Sequence, residues 1–193
     1  MASIQKRGKK YAVVYSYEDT DGTKRQKWES YSTKKEATKR KAAVENEINN
    51  GTFIPPSSTT VRMFLVDFVE LYGTKRWGLS AYTANTGLIE NYINPLLGDQ
   101  IVQDVNRRTV DRFIQQLQKT PPVETPYRHA RTEFVTACTI EKIMKLMRCA
   151  FHQAVRWDMI GKNPFDDAIL PKREKNVRAI WTSDIIRKAL DNC

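Results

Sequence analysis

Residues 139–164, TIEKIMKLMRCAFHQAVRWDMIGKNP, have the spacing of a long amphipathic helix. At about 100° per residue, the basic side chains of this stretch fall within an arc of roughly 120° on one side of the helix. We call this set the basic stripe; its members are Lys142, Lys145, Arg148, His152 and Arg156. The opposite side is apolar and consists of Ile140, Ile143, Met144, Met147, Phe151, Ala154 and Val155. The sequence therefore predicts a helix that buries one face and exposes the basic stripe.

The predicted helix ends at Gly161 and Asn163-Pro164, because proline lacks an N–H group and restricts the residue before it. The basic stripe has two interpretations at this point. It is either the solvated face of an ordinary bundle helix or a surface for an acidic partner. His152 has the further alternative of a neutral residue at the edge of the stripe.

Charge along the whole chain favours the acidic partner. The 193 residues carry a formal net charge of +10, with an isoelectric point near 9.6. Residues 1–50 hold 12 Lys/Arg and 7 Asp/Glu, a net charge of +5, so the first quarter of the chain carries half of the excess. Nucleic acid is the commonest partner of such a chain, and the asymmetry predicts a basic N-terminal module.

The composition argues against membrane, secreted and metal-dependent classes. No stretch is apolar enough to span a bilayer, and the start, MASIQKRGKK, has no apolar signal region. The three cysteines, Cys138, Cys149 and Cys193, lack metal-ligand spacing. We expect free thiols in a reducing cytoplasm, with no metal and no cofactor.

The first fifty residues have the pattern of a hairpin followed by a helix. Residues 9–17 and 23–31 alternate as strands, and residues 18–22 form a turn that ends at Gly22. A helix then begins at Ser32 or Thr33, since Glu36 stands where a capping box needs it, and ends at Gly51. Its predicted inner face consists of Ala37, Val44 and Ile48.

The charged residues of the second strand make this hairpin a candidate DNA reader, because β-ribbons can enter a DNA groove. The candidate contacts are Lys24, Arg25 and Lys27, and the pattern does not decide which face of the sheet meets DNA. The alternative is a basic hairpin that only keeps the protein in solution.

Residues 52–60, TFIPPSSTT, have the composition of a linker, and four helices are predicted after them. The first runs from Val61 to about Trp77, with Val61, Phe64, Leu65, Phe68, Leu71 and Tyr72 inward. The second runs from a cap at Ser80 to Ile93 and is broken by residues 94–98. Asn106 caps the third helix, whose inner face is Val110, Phe113, Ile114 and Leu117. The fourth carries the basic stripe, after a Pro-containing loop at residues 119–134 that holds His129.

Beyond Pro164 the sequence predicts a basic connector and then a short helix capped by Thr182. A helix this short is marginal without a partner. We therefore expect the sequence to stop just inside a further domain.

Several short motifs, taken in order, resemble the site-specific tyrosine recombinases, in particular phage-type integrases. They are V-R-x-F-L at 61–65, L-S-x-x-T at 79–83, I-N-P-L-L-G at 93–98, T-I-x-x-I at 139–143, A-V-R-W-D-M-I at 154–160, N-P at 163–164 and L-P at 170–171. No single motif is specific, and the resemblance depends on their order and spacing over about 110 residues.

The resemblance implies a fold class and four regions. The fold class is an α+β N-terminal module, a small antiparallel three-stranded sheet plus one helix, followed by an all-α four-helix core-binding bundle. The regions are 1–51, an arm-type DNA-binding domain; 52–60, a linker; 61–171, a helical core-binding (SAM-like) domain; and 172–193, a linker and the first helix of a catalytic domain. The third strand of the sheet is expected at Trp28–Tyr31 or before Tyr11.

The resemblance also implies a function in DNA integration and recombination of a mobile element. Recombinases of this family cleave and rejoin DNA through a phosphotyrosine intermediate, without metal or ATP. Their catalytic residues lie in a domain that would follow Cys193, so no residue of this chain is assigned a catalytic role and we expect it to be inactive alone. The implied partners are double-stranded DNA, at arm and core sites, and other recombinase protomers, in a bacterial cytoplasm and on the nucleoid when bound. No membrane and no small-molecule substrate are expected.

Ser80 and Thr83 join the basic stripe as implied DNA contacts, because the N–H groups at a helix start favour phosphate. Their alternative is simple helix capping. Two other functions stay open: a stand-alone DNA-binding regulator, and a helical scaffold with an incidental basic surface. Binding to duplex DNA that weakens steeply with salt would separate the first two functions from the scaffold.

Overall fold

The computed structural model describes residues 2–18, 22–124 and 132–172, together with Ser183, Arg187 and Leu190, which are helical. Three sequence-based expectations lie wholly or largely outside these residues. They concern the middle of the first turn, the loop around His129, and the cap and most side chains of the helix expected after Thr182.

The N-terminal part is a three-stranded antiparallel sheet in the order β1-β2-β3. Its strands are β1 (Ala2–Arg7), β2 (Lys10–Glu18) and β3 (Lys24–Tyr31). The third strand of the expected sheet therefore lies before Tyr11, and Trp28–Tyr31 belongs to the strand already predicted there. Gly8, at φ 58°, forms the tight connection between β1 and β2, a backbone conformation that glycine adopts without strain.

Helix α1 (Lys34–Asn49) covers one face of this sheet. Thr33 caps it in a full capping box with Glu36, as predicted, and Ala37 and Val44 are buried. The prediction for Ile48 is wrong, since its side chain is 38 % exposed. Phe53, just after the helix, packs on the sheet core, with its ring 5.7 Å from that of Tyr15.

Residues 52–60 are bonded to the helical part along most of their length. The Gln103 side chain accepts a hydrogen bond from the Ser57 N–H (3.1 Å) and donates to the carbonyl oxygens of Pro55 (2.8 Å) and Met159 (3.1 Å). Thr60 then caps the next helix through the N–H of Met63. Both the oxygen and the NH2 group of the Gln103 side chain therefore hold the segment against the helical part.

The helical part contains four rods, as the sequence predicted. The first joins α2 (Val61–Phe68), a π-helical turn (Val69–Gly73) and α3 (Thr74–Arg76). The second joins α4 (Leu79–Leu88), a π-helical turn (Ile89–Ile93) and α5 (Asn94–Leu97). The third is α6 (Arg107–Leu117), which follows a 3₁₀ turn (Val102–Asp104), and the fourth is α7 (Ala137–Arg156). The predicted α+β module followed by a four-helix bundle is confirmed.

The two π-helical turns explain two wrong predictions. A π turn holds an extra residue and shifts everything after it out of the 3.6-residue pattern. Leu71, predicted inward, is 55 % exposed, and Gly73 is buried. In the second rod the Asn94 N–H bonds to the Ile89 carbonyl five residues back, and Pro95, which has no N–H to donate, continues the helix to Leu97. The predicted break therefore comes later, at Gly98.

The end of α7 also differs from the prediction at Gly161. The helix stops at Arg156, and Asp158 adopts a left-handed conformation with φ 55°. The N–H of Met159 bonds to the carbonyl of Ala154 at 3.0 Å, which closes the last turn. Aspartate tolerates this conformation better than most residues, so no glycine is needed to end the helix.

The core of the helical part is formed by the apolar faces of all four rods. Every residue predicted inward on α6 is buried, and the apolar side of α7 is buried except for the half-buried Val155. Asn163 is the one buried polar residue among those described. Its side chain donates to the carbonyl of Arg148 (3.1 Å) and to Asp166 (3.0 Å) and accepts from the N–H of Phe165 (3.0 Å). This amide holds the turn after α7 against the basic side of the helix.

Candidate nucleic-acid interface

The basic stripe lines one side of a cleft of about 430 Å³. Four of its five residues face this cleft: Lys145, Arg148, His152 and Arg156. Tyr72, Cys149 and Gln153 complete the lining. Lys142 is exposed on the same side of α7 but stands outside the lining. We call this feature the cationic cleft.

Two stripe residues of the cleft are paired with carboxylates. The Lys145 ammonium lies 2.8 Å from the carboxylate of Glu141, one turn earlier on α7. The His152 imidazole Nε2 lies 3.0 Å from an Asp166 oxygen, and that oxygen also accepts from Asn163. Such partly exposed pairs are weak, so a polyanion with several phosphates can replace the carboxylates.

Arg148 has a structural contact as well as a place in the cleft. Its Nε donates to the Phe165 carbonyl at 3.3 Å, and it is half-buried. Arg156 is exposed at the last turn of α7. Arg156 is therefore the better position for testing the charge of the cleft without disturbing the fold.

Sequence reasoning missed Tyr72 on the other wall and Arg76 beside it. Tyr72 packs against the core, as predicted, but it also lines the cleft, and the Arg76 guanidinium lies 5.5 Å from its ring centroid. Arg76 is exposed. The signal available in the sequence was the run Tyr72 to Arg76, in which two basic residues follow an aromatic one. What hid it was the π-helical turn, which changes the direction of each side chain from Val69 onward.

Ser80 and Thr83 are exposed in the first two turns of α4. The cap of this helix is Gly78 and the first helical residue is Leu79, so the prediction that Ser80 caps it is wrong. Gly78 has the extended backbone conformation of an N-cap, and it makes no side-chain hydrogen bond to the helix. The helix therefore begins at Leu79, one residue before Ser80. Thr83 donates its hydroxyl hydrogen to the Leu79 carbonyl at 3.0 Å.

The sheet has one face under α1 and one open face. Strand pairing places Ser3, Val14 and Trp28 side by side on the open face, since opposite residues of antiparallel strands share a face. The open face also carries Gln5, Arg7, Lys10, Ala12, Ser16, Glu18, Lys24, Gln26 and Ser30. Ala12 and Val14, in the middle strand, are nevertheless buried. Alternation places Arg25 and Lys27 on the other face, where Lys27 is half-buried beside Tyr15. The three predicted contacts of this strand therefore do not share a face.

Arg7 and Trp28 form the largest feature of the open face. The Arg7 guanidinium lies 4.6 Å from the centroid of the Trp28 ring, and Trp28 is 43 % exposed. Such stacking holds both side chains in place while leaving the guanidinium N–H groups available to an acceptor. The face thus presents an arginine held over an aromatic ring, with Lys10 and Lys24 as further cations and Glu18 as an anion.

Under the sheet, Glu29 is held by three donors. Its carboxylate accepts from the hydroxyls of Tyr15 and Tyr31, each at 2.7 Å, and from Arg40 Nε at 2.9 Å. Burial alone would raise the pKa of Glu29, but these hydrogen bonds outweigh it and lower the pKa to about 2. Burial, together with the bond to Glu29, raises the pKa of Tyr15. The hydroxyls of Tyr15 and Tyr31 therefore serve to hold Glu29 under the sheet.

The described residues show neither a metal-binding cluster nor a membrane-spanning helix. They contain no cluster of three or more His, Cys, Asp or Glu that would hold a metal ion. None of their helices combines the length and the apolar character needed to cross a bilayer. Cys138 is exposed and Cys149 is half-buried in the cationic cleft.

Comparison with known proteins agrees with this geometry. Residues 3–48 match a family model described as the arm DNA-binding domain. Lambda integrase, in a tetramer bound to a Holliday junction, shares 15 % identity over 97 % of this chain and 52 % of its own, with a TM-score of 0.55. Lambda integrase in a dimer bound to a COC′ core site shares 14 % identity over 97 % and 50 %, with a TM-score of 0.54.

The chain has the fold of the matching half of the lambda integrase chain, a three-stranded sheet with one helix followed by a helical part. The resemblance predicted from the sequence is confirmed in two respects, the arm-domain match and the shared fold. The chain spans about half the length of the two lambda integrase chains. An integrase-like domain from Bacillus cereus is 21 % identical over 64 % of this chain and 92 % of its own, with a TM-score of 0.49. No curated protein sequence matches the chain.

Proposed function

We propose that this chain is the DNA-binding N-terminal portion of a site-specific tyrosine recombinase of the integrase type. The sheet would bind arm-type DNA and the helical part would bind core-type DNA. The observation that carries the proposal is the joining of two basic surfaces in one chain: the open face of a sheet that matches an arm DNA-binding domain, and the cationic cleft of a helical part with the integrase fold.

In the helical part, the basic stripe supplies charge to the DNA backbone. Lys142, Lys145 and Arg156 are exposed cations on one side of α7. Arg148 adds to the same field from the cleft, and His152 lines the cleft beside it. Ser80 and Thr83 lie at the start of another helix and would add neutral phosphate contacts. Contacts of this kind give affinity but no sequence preference.

In the sheet, we assign the DNA-facing role to the open face. Lys24 and Gln26 lie on it with Arg7 and Trp28. Arg25 and Lys27 belong to the other face, so they would serve at most as backbone contacts around the edge of β3. Arginine and glutamine are side chains that bind base edges in the major groove, which makes this face the candidate for sequence recognition.

The same proposal covers the setting of the protein. Recombination joins two DNA segments, so we propose that further protomers assemble beside this one on DNA, in a bacterial cell and on its nucleoid. The regions 1–51, 52–60, 61–171 and 172–193 remain the proposed domain division. Residues 55–57 lie in the proposed linker, and the hydrogen bonds from Gln103 attach this linker to the proposed helical domain.

A two-duplex experiment tests the proposal against a regulator with one DNA surface. The full chain is mixed with two duplexes of mixed sequence that carry different fluorophores, each about 20 base pairs long, and coincident fluorescence on single complexes is counted. We expect both duplexes on one protein molecule, because each basic surface holds its own segment. Binding of a single duplex per molecule would favour the regulator, and salt-independent binding would favour the scaffold.

Matched variants assign the two surfaces. Lys145→Gln with Arg156→Gln should remove one of the duplexes and lower the slope of log affinity against log salt by about 0.9 per lost phosphate contact. Lys24→Ala with Gln26→Ala should remove the other duplex. Lys119→Gln, an exposed cation after α6 and outside the cleft, is the charge control. Lys27→Gln tests the opposite face of the sheet, and a larger loss there than for Lys24 would reverse the assignment of faces.

A further inference from the structure

Tyr72 occupies a fixed position at the wall of the cationic cleft. Its ring stacks on Phe68, with centroids 5.1 Å apart and planes 15° from parallel. The Arg76 guanidinium lies over the ring at 5.5 Å from its centroid. An aromatic ring held by a stacked neighbour and a cation loses little further freedom when its hydroxyl binds a ligand.

The hydroxyl of Tyr72 has a donor beside it. The Cys149 thiol donates to the Tyr72 oxygen at an S···O distance of 3.7 Å. Among the described residues this is the only hydrogen bond recorded for the hydroxyl, and in it the oxygen is the acceptor. Because the oxygen accepts in that bond, the hydroxyl proton stays available for another acceptor.

The surroundings of that hydroxyl select an anionic acceptor. Lys145, Arg148 and Arg156 line the same cleft. An anion drawn in by these cations brings only acceptor oxygens, and the Tyr72 hydroxyl supplies a neutral donor next to the charged ones. The cleft, at about 430 Å³, is open enough to admit a phosphodiester group rather than only a water molecule.

We propose that Tyr72 donates a hydrogen bond to a backbone phosphate of duplex DNA bound in the cationic cleft. The proposal rests on the proposed function of the helical part and adds to it a contact that carries no charge. Its physical signature differs from that of the basic stripe. A charged contact releases a counterion and changes the salt dependence of binding, whereas a neutral contact changes the affinity at every salt concentration alike.

The test compares Tyr72→Phe with Arg156→Gln in duplex binding at a series of salt concentrations. Every protein compared also carries Lys24→Ala and Gln26→Ala, so that the sheet does not hold the duplex in place of the cleft. Tyr72→Phe removes the hydroxyl and keeps the ring between Phe68 and Arg76. We expect it to weaken binding about tenfold, as for loss of a hydrogen bond to a charged group, with an unchanged salt slope. Arg156→Gln should weaken binding and lower the slope by about 0.9. Tyr17→Phe, on the covered face of the sheet, is the tyrosine control and should bind as the wild type does.

Each outcome decides the proposal. Unchanged affinity of Tyr72→Phe beside a weakened Arg156→Gln overturns the tyrosine contact and leaves the proposed function standing. Unchanged affinity of both variants shows that the cleft does not bind DNA, and overturns both. A lowered salt slope for Tyr72→Phe would show that it disturbs the cations, and overturns the neutral contact.

A second measurement uses the unaltered chain and needs no variant to fold. The thiol of Cys149 adjoins the Tyr72 hydroxyl in the cleft, and Cys138 is exposed outside its lining. Saturating duplex should slow the alkylation of Cys149 by iodoacetamide at least about fivefold, followed residue by residue by mass spectrometry, and leave Cys138 unchanged. We expect this because DNA bound over the cleft would keep iodoacetamide away from the Cys149 thiolate, which is the reactive form. Equal protection factors near one for both thiols would overturn the placement of DNA over Tyr72.

Discussion

The two parts of the chain reach stability by different means. Among the residues that the structure describes, five buried residues form the hydrophobic cluster of the N-terminal part, whereas 25 form that of the helical part. A core of five residues leaves little apolar area to offset the loss of chain entropy. The sheet compensates with a partly buried ion pair, Glu29–Arg40, and two tyrosine hydroxyls.

The helical part buries a neutral amide where the sheet buries a charge. Asn163 satisfies its donors and its acceptor within the turn after α7. Burying a neutral group that is fully hydrogen-bonded carries a much smaller desolvation penalty than burying a carboxylate. The comparison indicates that the stability of the sheet should respond more strongly to pH and to the loss of single charges than that of the helical part, whose ion pairs are more exposed.

The largest expected effect comes from removing the cation under the sheet. Arg40→Met should cost the sheet about 2 kcal/mol, less than for a fully buried pair because Arg40 is 32 % exposed and Glu29 keeps its tyrosine donors. The loss appears in urea unfolding followed by NMR amide signals of β2, with those of α7 recorded in the same titration.

The control for this variant removes a cation from the helical part. Lys145→Met breaks the pair with Glu141 on α7, an exposed (i, i+4) pair, and should cost under about 0.5 kcal/mol. Equal losses for the two variants would show that the sheet does not depend on its ion pair more than the bundle depends on its own.

A smaller effect is expected from pH. The pKa of Glu29 is about 2 in the folded chain, below the ordinary value of 4.5 that applies when it is unfolded. The unfolded chain therefore takes up the proton first, so the stabilisation is complete above about pH 4.5 and is lost as the pH falls toward 2. Allowing for partial solvent access, we expect the sheet to lose about 1–2 kcal/mol over this range relative to the helical part.

The variant Glu29→Gln checks that this carboxylate is the cause. It should be less stable than the wild type at about pH 6 and should lose less stability on acidification, measured by the same amide signals of β2. If wild type and variant lose equal stability between about pH 5 and 3, another carboxylate governs the acid sensitivity of the sheet.

Much of the fold followed from local patterns in the sequence. The capping box at Thr33 and the cap at Asn106 are settled by residues within one helical turn, and both are present in the structure. The apolar faces of α6 and α7 follow from uninterrupted 3.6-residue spacing. The errors at Leu71 and Pro95 share one cause, because a π-helical turn is stabilised by packing of the whole helix and leaves no mark in residue spacing.

The candidate site could be predicted only where it lies on a single element. The basic stripe needs nothing beyond the geometry of α7, and the pairing of Glu141 with Lys145 could also have been read from their (i, i+4) spacing. Tyr72 and Asp166 come from other segments, so their places beside Cys149 and His152 depend on how the rods and the turn after α7 pack. Sequence reasoning therefore found the charges of the cleft and missed its neutral donor.

The smallest expected effect concerns the end of α7, where residue spacing favoured Gly161 and the structure uses Asp158. At φ 55° a residue with a Cβ atom is strained by about 1 kcal/mol relative to glycine, and less so for aspartate. Asp158→Gly should therefore stabilise the helical part by about 0.5 kcal/mol, after allowance for the greater freedom of glycine in the unfolded chain. Asp158→Ala, which keeps the strain and loses the polar side chain, should destabilise it by about 1 kcal/mol, and both changes are measured in the α7 amide signals. A loss of stability with glycine would mean that the Asp158 side chain itself ends the helix. In that case a polar contact of Asp158 sets the backbone conformation after Arg156, the last residue of the basic stripe. The sheet and the helical part would then differ less in what stabilises them, since each would depend on a carboxylate.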